Sequence, residues 1–104
     1  MPRKVLASVF EDSIGCRDNN LFDGGYYYAE LSTDPFASNL DFAALGKLPF
    51  GHKLKITYNG KTLIASKGDV GAGGPNYPKI DLHITLANAL GFPYGLDYVE
   101  IEDA

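Results

Sequence analysis

The chain has 104 residues, 45% of them hydrophobic, which predicts one domain with a modest core over residues 1–104. Its formal net charge is −4 and its nine Lys and Arg residues are scattered, which argues against nucleic acid as a partner, because phosphate binding needs clustered cations. The single cysteine excludes an internal disulfide, and no apolar run approaches the roughly 18 residues of a membrane span.

The first half of the chain predicts two strands separated by loops. Residues 4–10 are led by valine and leucine and predict a strand. Residues 26–31 are aromatic and β-prone and predict a second one. The polar stretches 11–25 and 33–39 predict surface loops, and residues 40–45 predict one helical turn.

The second half predicts a hairpin and a final strand. Residues 53–58 alternate polar and apolar side chains, Asn59-Gly60 is the typical two-residue hairpin turn, and residues 61–67 form the return strand. Residues 97–102 alternate again and predict the last strand. Six or so short strands with one or two small helices predict a mostly β fold that closes into a small barrel.

A glycine-rich segment from Gly68 to Pro75 lies between two carboxylates, Asp69 and Asp81. Its glycines predict a tight turn that keeps side chains away, so that a substrate can approach closely. Asp81 is expected to open a short helix over residues 84–90, which Gly91 ends. The pattern also fits a structural interpretation, in which Asp69 fixes the turn and Asp81 caps the helix.

Three motifs in one order carry a resemblance to a family. Leu48-Pro49-Phe50-Gly51 comes first, then the loop that begins Gly68-Asp69, then Ile80-Asp81-Leu82. Together they resemble the double-psi β-barrel of the rare-lipoprotein-A type, a barrel shared more distantly by expansins, barwin-like proteins and some endoglucanases. The resemblance covers most of the chain. It implies a six-stranded double-psi β-barrel with one or two short helices.

The segment of residues 27–32 and the lengthened glycine loop are similar to the version found in phage tail or lysis proteins. The resemblance implies that the partner is peptidoglycan or another cell-wall glycan, with other phage tail proteins as further partners. It implies action outside the cell, at the envelope or on a virion; residues 1–10 do not form a secretory signal. No cofactor is implied, and two histidines without ligand spacing predict no metal site.

Residue by residue, the resemblance assigns catalytic candidates. Asp69 matches the aspartate of an Asp-x-Gly-Pro loop and is the first candidate for the acid/base of a lytic transglycosylase or glycosidase. Asp81 matches the general-acid position of the endoglucanases and is its partner. Asp12 lies near their second carboxylate, and Asp41 stands close to where active members carry a histidine before Leu-Pro.

Substrate-binding candidates combine ring faces, a cation and bare backbone around the loop. Tyrosine rings suit the apolar faces of sugars, although at least one of the adjacent tyrosines is expected to point into the core. A lysine beside the loop would contact a peptide-stem carboxylate, and a histidine would tune a carboxylate. These candidates are Tyr27, Tyr28, Lys67, Gly73, Gly74, Tyr77 and His83.

The sequence departs from the family pattern near the candidate site. Residues 44–47 contain no histidine, His83 stands where the family has a small hydroxyl residue, and the residue after Asp69 is not arginine. These differences leave two functions open. The protein is either a peptidoglycan-cleaving enzyme, or a non-catalytic wall-binding or phage tail module of the expansin kind. The oligomeric state stays open.

Overall fold

The computed structural model describes residues 2–33, 41–73 and 77–104. These residues form a closed barrel of six strands with one short helix. In chain order the elements are β1 (Arg3–Phe10), β2 (Tyr27–Leu31), β3 (Lys53–Tyr58), β4 (Lys61–Gly71), β5 (Ile80–His83), α1 (Ile84–Leu90) and β6 (Asp97–Asp103).

The strands follow one another around the barrel in the order β1-β5-β2-β4-β3-β6. The β1–β5 and β2–β4 pairs are parallel, and the other four pairs are antiparallel. Every strand therefore has two hydrogen-bonded neighbours, and the sheet has no free edge. The predicted mostly β, closed six-stranded barrel is confirmed.

The core fills the barrel with alternate residues of each strand. Val5, Ala7, Ile56, Leu82 and Val99 are at most 3% exposed and belong to one hydrophobic cluster. Residues between such core positions face the outside of the barrel, because successive side chains of a strand point to opposite sides.

The helix α1 lies where the sequence predicts it. It buries Leu86, Ala87 and Leu90 in the same cluster, and it ends at Gly91, whose φ of 74° is left-handed. A residue without a side chain adopts that conformation at little cost, which explains the stop. The helical turn predicted for residues 40–45 is absent from residues 41–45, which lie in loop and turn, and Leu40 is outside the described residues.

Two predictions around the glycine-rich segment are wrong. Strand β4 does not end at residue 67 but continues through Asp69 to Gly71, so the first part of the expected loop is strand. Asp81 does not cap a helix but lies in β5, and His83 is the N-cap of α1. Both aspartates are therefore held by strand pairing.

A bulge in β4 decides which way its side chains face. Tyr28 pairs with Lys67 and Ala29 pairs with Asp69, so Gly68 is the extra residue. It puts Lys67 on the interior side with Tyr28, and Asp69 on the outer side. Glycine suits this position, because a Cβ atom would lie 2.8 Å from the Tyr27 ring and 3.0 Å from Leu21 Cδ2, and these side chains would have to shift.

Candidate functional site

Two carboxylates lie in one row across four strands. Ser8 of β1 pairs with Asp81 of β5, Asp81 pairs with Ala29 of β2, and Ala29 pairs with Asp69 of β4. Paired residues share a face of the sheet, and Ile80 and Leu82 point into the core, so the row faces outward. Only the methyl group of Ala29 separates the two aspartates, whose Cα atoms are about 10 Å apart at two strand spacings.

Asp81 holds its proton more tightly than an ordinary aspartate does. Ser8 Oγ donates a hydrogen bond to Asp81 Oδ1. Burial raises the pKa of the Asp81 carboxyl to about 6, and repulsion from Asp12 and Asp69 adds to the rise. The chain therefore places a carboxylic acid that is partly protonated near neutral pH next to two other carboxyls.

Asp69 is held by the backbone. Its Oδ1 accepts hydrogen bonds from the N–H of Cys16 at 3.0 Å and from its neighbour Val70 at 2.9 Å, and the residue is 7% exposed. Two donors on one oxygen fix the orientation of this carboxyl. They also connect strand β4 to the loop between β1 and β2.

That loop is tied down at several points. Asn19 Nδ2 donates to the carbonyl of Gly68 at 3.1 Å, and Leu21 is fully buried beneath the loop. The Cys16 thiol lies beside Asp69, and burial together with the Asp69 carboxylate raises its pKa. The thiol therefore stays protonated at neutral pH and can serve Asp69 as a donor.

His83 positions the site without being open to a ligand. It is fully buried, and its Nε2 lies 2.9 Å from the carbonyl oxygen of Asp12 while its Nδ1 accepts from the N–H of Thr85 at 3.4 Å. Since a carbonyl only accepts, Nε2 carries the proton and the ring is neutral. The prediction that His83 contacts substrate is wrong; it holds Asp12 and the start of α1 instead.

Two aromatic rings pack against His83. Phe10 meets the imidazole edge-on at 5.2 Å and Phe22 at 4.5 Å between ring centroids. Phe22 is also 50% exposed, so one part of this ring remains open to solvent close to Asp12. Sequence reasoning missed Phe22, because a lone phenylalanine in a polar loop carries no local signal.

Asp41 lies in a loop, where its carboxyl accepts local hydrogen bonds. Asp41 accepts from the N–H and the hydroxyl of Thr33, at 2.9 Å for the former, and from the N–H of Ala43 at 3.3 Å. These bonds lower the pKa of its exposed carboxyl. Asp41 therefore closes a turn, and its support of catalysis stays a prediction.

Both tyrosine candidates of β2 use their hydroxyl groups in hydrogen bonds within the protein. Tyr28 is fully buried in the core and donates to the carbonyl of His52 at 2.9 Å, so the prediction that it stacks on a sugar is wrong. Burial raises the pKa of its hydroxyl. Tyr27 is partly exposed and donates to Asp23 Oδ2 at 2.6 Å. Its outer edge remains available.

Lys67 is an internal cation rather than a surface one. Its Nζ lies 2.8 Å from Glu30 Oε1 and 2.6 Å from the carbonyl oxygen of Leu48, and both charged side chains are at most 3% exposed. Glu30 also accepts three backbone N–H groups between 2.7 and 2.9 Å, from Leu45, Lys47 and Leu48. The predicted contact of Lys67 with a substrate carboxylate is therefore wrong.

The three remaining loop candidates are Gly73, Gly74 and Tyr77, of which Gly73 and Tyr77 differ in their exposure to solvent. Gly73 is buried, its N–H donates to Ser32 Oγ at 2.9 Å, and a Cβ atom there would meet the carbonyl of Pro78 at 2.8 Å, so its role is packing and not binding. Gly74 lies outside the described residues. Tyr77 is 47% exposed and stays a candidate for sugar contact.

Sequence reasoning also passed over Ser8, which lies in the first predicted strand. The alternation of that strand carries the signal: Ala7 and Val9 face the core side, so a serine between them faces the outside of the barrel. Among residues 2–33, 41–73 and 77–104, no group of three or more His, Cys, Asp or Glu side chains is arranged to hold a metal ion.

The comparisons with known proteins add no family. No protein-family model matches the chain, and no curated protein matches it. None of the helices among the described residues has the length and apolar character needed to cross a membrane. The row of side chains at Asp81 is therefore the feature of the chain from which a function can be inferred.

Proposed function

We propose that the protein cleaves peptidoglycan or a related cell-wall glycan, in a reaction of the lytic transglycosylase or glycosidase kind, with Asp81 as the general acid. The observation that carries the proposal is the outward-facing, partly buried carboxyl of Asp81, whose pKa is raised to about 6 beside Asp69. Cleavage of a glycosidic bond needs an acid that is still protonated near the working pH, together with a second carboxylate.

The roles differ from the first assignment made from the sequence. Asp69 Oδ1 is engaged by two backbone N–H groups. Asp81 accepts from the Ser8 hydroxyl among the described residues, and it holds its proton more tightly than an ordinary aspartate. Asp81 would give its proton to the leaving oxygen as the glycosidic bond breaks. Asp69 and Asp12 would stabilise the positive charge that develops on the sugar ring.

The surroundings suit a sugar chain. Gly71 lies next to Asp81: a Cβ atom in its place would be 2.9 Å from Leu31 Cδ2 and 3.9 Å from Asp81 Oδ2, so glycine keeps this part of the row uncrowded. The half-exposed rings of Phe22 and Tyr77 offer apolar faces. The double-psi connectivity that the resemblance implies is compatible with the two parallel pairs, β1–β5 and β2–β4.

The test is the release of soluble fragments from purified peptidoglycan, followed by mass spectrometry. We expect release by the wild-type protein, a loss of at least about a hundredfold in Asp81→Asn, and a smaller loss in Asp69→Asn. Glu100→Gln, the same neutralisation at an exposed residue of β6, is the matched control and should keep full activity. An anhydro-sugar end on the fragments identifies attack by the sugar's own hydroxyl, and a reducing end identifies attack by water.

Binding is measured in the same preparations by co-sedimentation with the insoluble polymer. Asp81→Asn should still bind, because it keeps the shape of the site. If the wild-type protein binds and releases nothing, the protein is a wall-binding or tail module and the enzymatic proposal fails. If it neither binds nor cleaves, both functions fail.

A further inference from the structure

An open cavity of about 420 Å³ borders the loop whose Cys16 N–H contacts Asp69. It lies between the loop that follows β1 and the turn that precedes β3. Its lining residues are Arg17, Asn19, Phe50, Gly51 and Lys67.

One loop connects this cavity with Asp69. The N–H of Cys16 donates to Asp69, and Asn19 Nδ2 donates to the carbonyl of Gly68. Arg17 lies between these two anchors in the chain, so its side chain starts from a fixed point beside β4. The loop that holds Asp69 is therefore the same loop that lines the cavity, which links the two sites.

Arg17 brings a positive charge to the cavity. Its guanidinium carbon lies over the Phe50 ring, 4.7 Å from the ring centre, in a cation–π contact that uses none of its N–H donors in an ion pair. Neither of the two ion pairs formed by the described residues involves Arg17. A planar guanidinium supported in this way is suited to a carboxylate, which it can bind through two parallel hydrogen bonds.

Lys67 does not compete for that role. Its charge is balanced by Glu30, and its ammonium group is also engaged by the carbonyl of Leu48 and by the Phe50 ring at 5.0 Å. The net charge that the cavity offers to a ligand is therefore the single charge of Arg17. One carboxylate would match it.

We propose that this cavity binds a carboxylate carried by the sugar chain, through Arg17, and that the protein therefore selects an acidic glycan over a neutral one. The inference builds on the proposed function, because the chain bound at Asp81 is the one that extends into the cavity. Two sources have this chemistry. The carboxylate belongs either to a lactyl or peptide-stem group or to a uronic acid of the chain itself.

The test compares soluble oligosaccharides of similar length by calorimetry, with the Asp81→Asn protein so that no ligand is consumed. The probes are a neutral chitin oligosaccharide, an oligosaccharide that contains muramic acid, and an oligouronate. We expect at least one acidic probe to bind about tenfold more tightly than the neutral one. This preference should weaken as salt is added. The acidic probe that binds more tightly identifies the source of the carboxylate.

The variants make the result specific. Arg17→Gln should remove the preference and leave the affinity for the neutral probe unchanged, Arg17→Lys should keep part of it, and Lys55→Gln, at an exposed position of β3, should keep all of it. An unchanged preference after Arg17→Gln overturns the proposal. It is also overturned if the protein with Arg17 intact binds no acidic probe more tightly than the neutral one.

Failure of the two proposals can be told apart. An Arg17-dependent preference without any cleavage by the wild-type protein rejects the enzymatic function and retains the acidic-glycan site. Cleavage of neutral and acidic chains at equal rates, in wild-type and Arg17→Gln protein alike, retains the enzyme and rejects the site.

Discussion

Ser8 and Asp81 are partners in the parallel pairing of β1 and β5, and the Ser8 hydroxyl donates a hydrogen bond to the Asp81 carboxyl. Among the residues that the structure describes, Ser8 supplies the one side-chain hydrogen bond that favours the ionised form of Asp81. Burial and the neighbouring carboxylates favour the protonated form, and they dominate, because the pKa is raised to about 6. The site therefore holds an acid whose protonation changes between pH 5 and 7.

The first prediction concerns stability and pH. Because the folded protein binds a proton at Asp81 more tightly than the unfolded chain does, this stabilisation is complete below about pH 4 and is lost as the pH rises through 6. Asp81→Asn has no titrating group at this position, so its stability should not fall as the pH rises through 6. At pH 8 we expect the variant to be more stable than the wild type by about 1–3 kcal/mol. The upper end follows from the rise of the Asp81 pKa to about 6, and partial exposure of the carboxyl lowers the free energy of unfolding that is gained.

The measurement is urea unfolding of both proteins at pH 4 and pH 8. The advantage of Asp81→Asn should be small or absent at pH 4 and present at pH 8. Glu100→Gln, which neutralises an exposed carboxylate, should show no such change between the two pH values. A difference that is the same at both pH values would contradict the shifted pKa.

The second prediction concerns Ser8. Removing its hydroxyl in Ser8→Ala deletes a donor to the ionised carboxylate, so the pKa of Asp81 should rise further above 6. Carbon-13 NMR of the aspartate carboxyls, recorded from pH 4 to 9, follows this directly. If the protein is an enzyme, the fall of its activity at high pH should move upward by the same amount. A titration that stays in place or moves down would show that the hydroxyl does not donate to Asp81.

The third prediction concerns the buried pair of Lys67 and Glu30. Glu30→Gln leaves the Lys67 ammonium buried without a counter-charge and should destabilise the protein by about 3–5 kcal/mol. Lys67→Met should cost less, because the Glu30 carboxylate keeps its three backbone N–H donors. The double variant should cost less than the sum of the two single ones, as measured by denaturant unfolding. Simple additivity would show that the two charges do not interact.

The fourth prediction tests the link between the loop and Asp69. A Cβ atom at Gly15 would overlap the carbonyl oxygen of Gly68, so Gly15→Ala must move the loop away from β4, at about 1–3 kcal/mol. The N–H of Cys16 would then leave Asp69, and the pKa of the Cys16 thiol should fall toward its ordinary value.

The rate of thiol modification at pH 7.5 reports this movement. We expect Cys16 to react faster in Gly15→Ala than in the wild type, since more of it is thiolate. Gly24→Ala is the control: its φ of 98° makes it costly as well, but nothing lies within 4 Å of its Cβ position. Equal reactivity of Cys16 in the two variants would show that Gly15 is not needed for the contact between Cys16 and Asp69.

Much of the barrel could be predicted from local sequence signals. Asn59-Gly60 between two alternating runs predicts the β3–β4 hairpin, and Gly91 predicts the end of α1. Strand β5 was missed, because its four residues run directly into the helix without a turn between them. The continuation of β4 past Gly68 was missed for a related reason, since a glycine-rich segment predicts a turn although a bulge requires the same residue.

The candidate site was only partly predictable. The resemblance to a barrel family brought Asp69, Asp81 and Asp12 into one hypothesis, and the structure places them together. Whether Lys67 faces a ligand or the interior depends on Glu30, a partner 37 residues away in the chain, and no local pattern contains that information. The same holds for Phe22, because its position near the site follows from the packing of its ring against His83, which is distant in the chain.

The closure of the barrel has a consequence for how the chain folds. Strand β6 lies between β1 and β3, so the first and last strands must meet before either edge is satisfied. Pairings this distant in sequence form slowly, because the loop that joins them must first be closed. Until residue 103 has been synthesised, β1 and β3 expose unpaired edges to any other strand. A nascent chain stalled before β6 should therefore aggregate, and the same chain released after β6 should not.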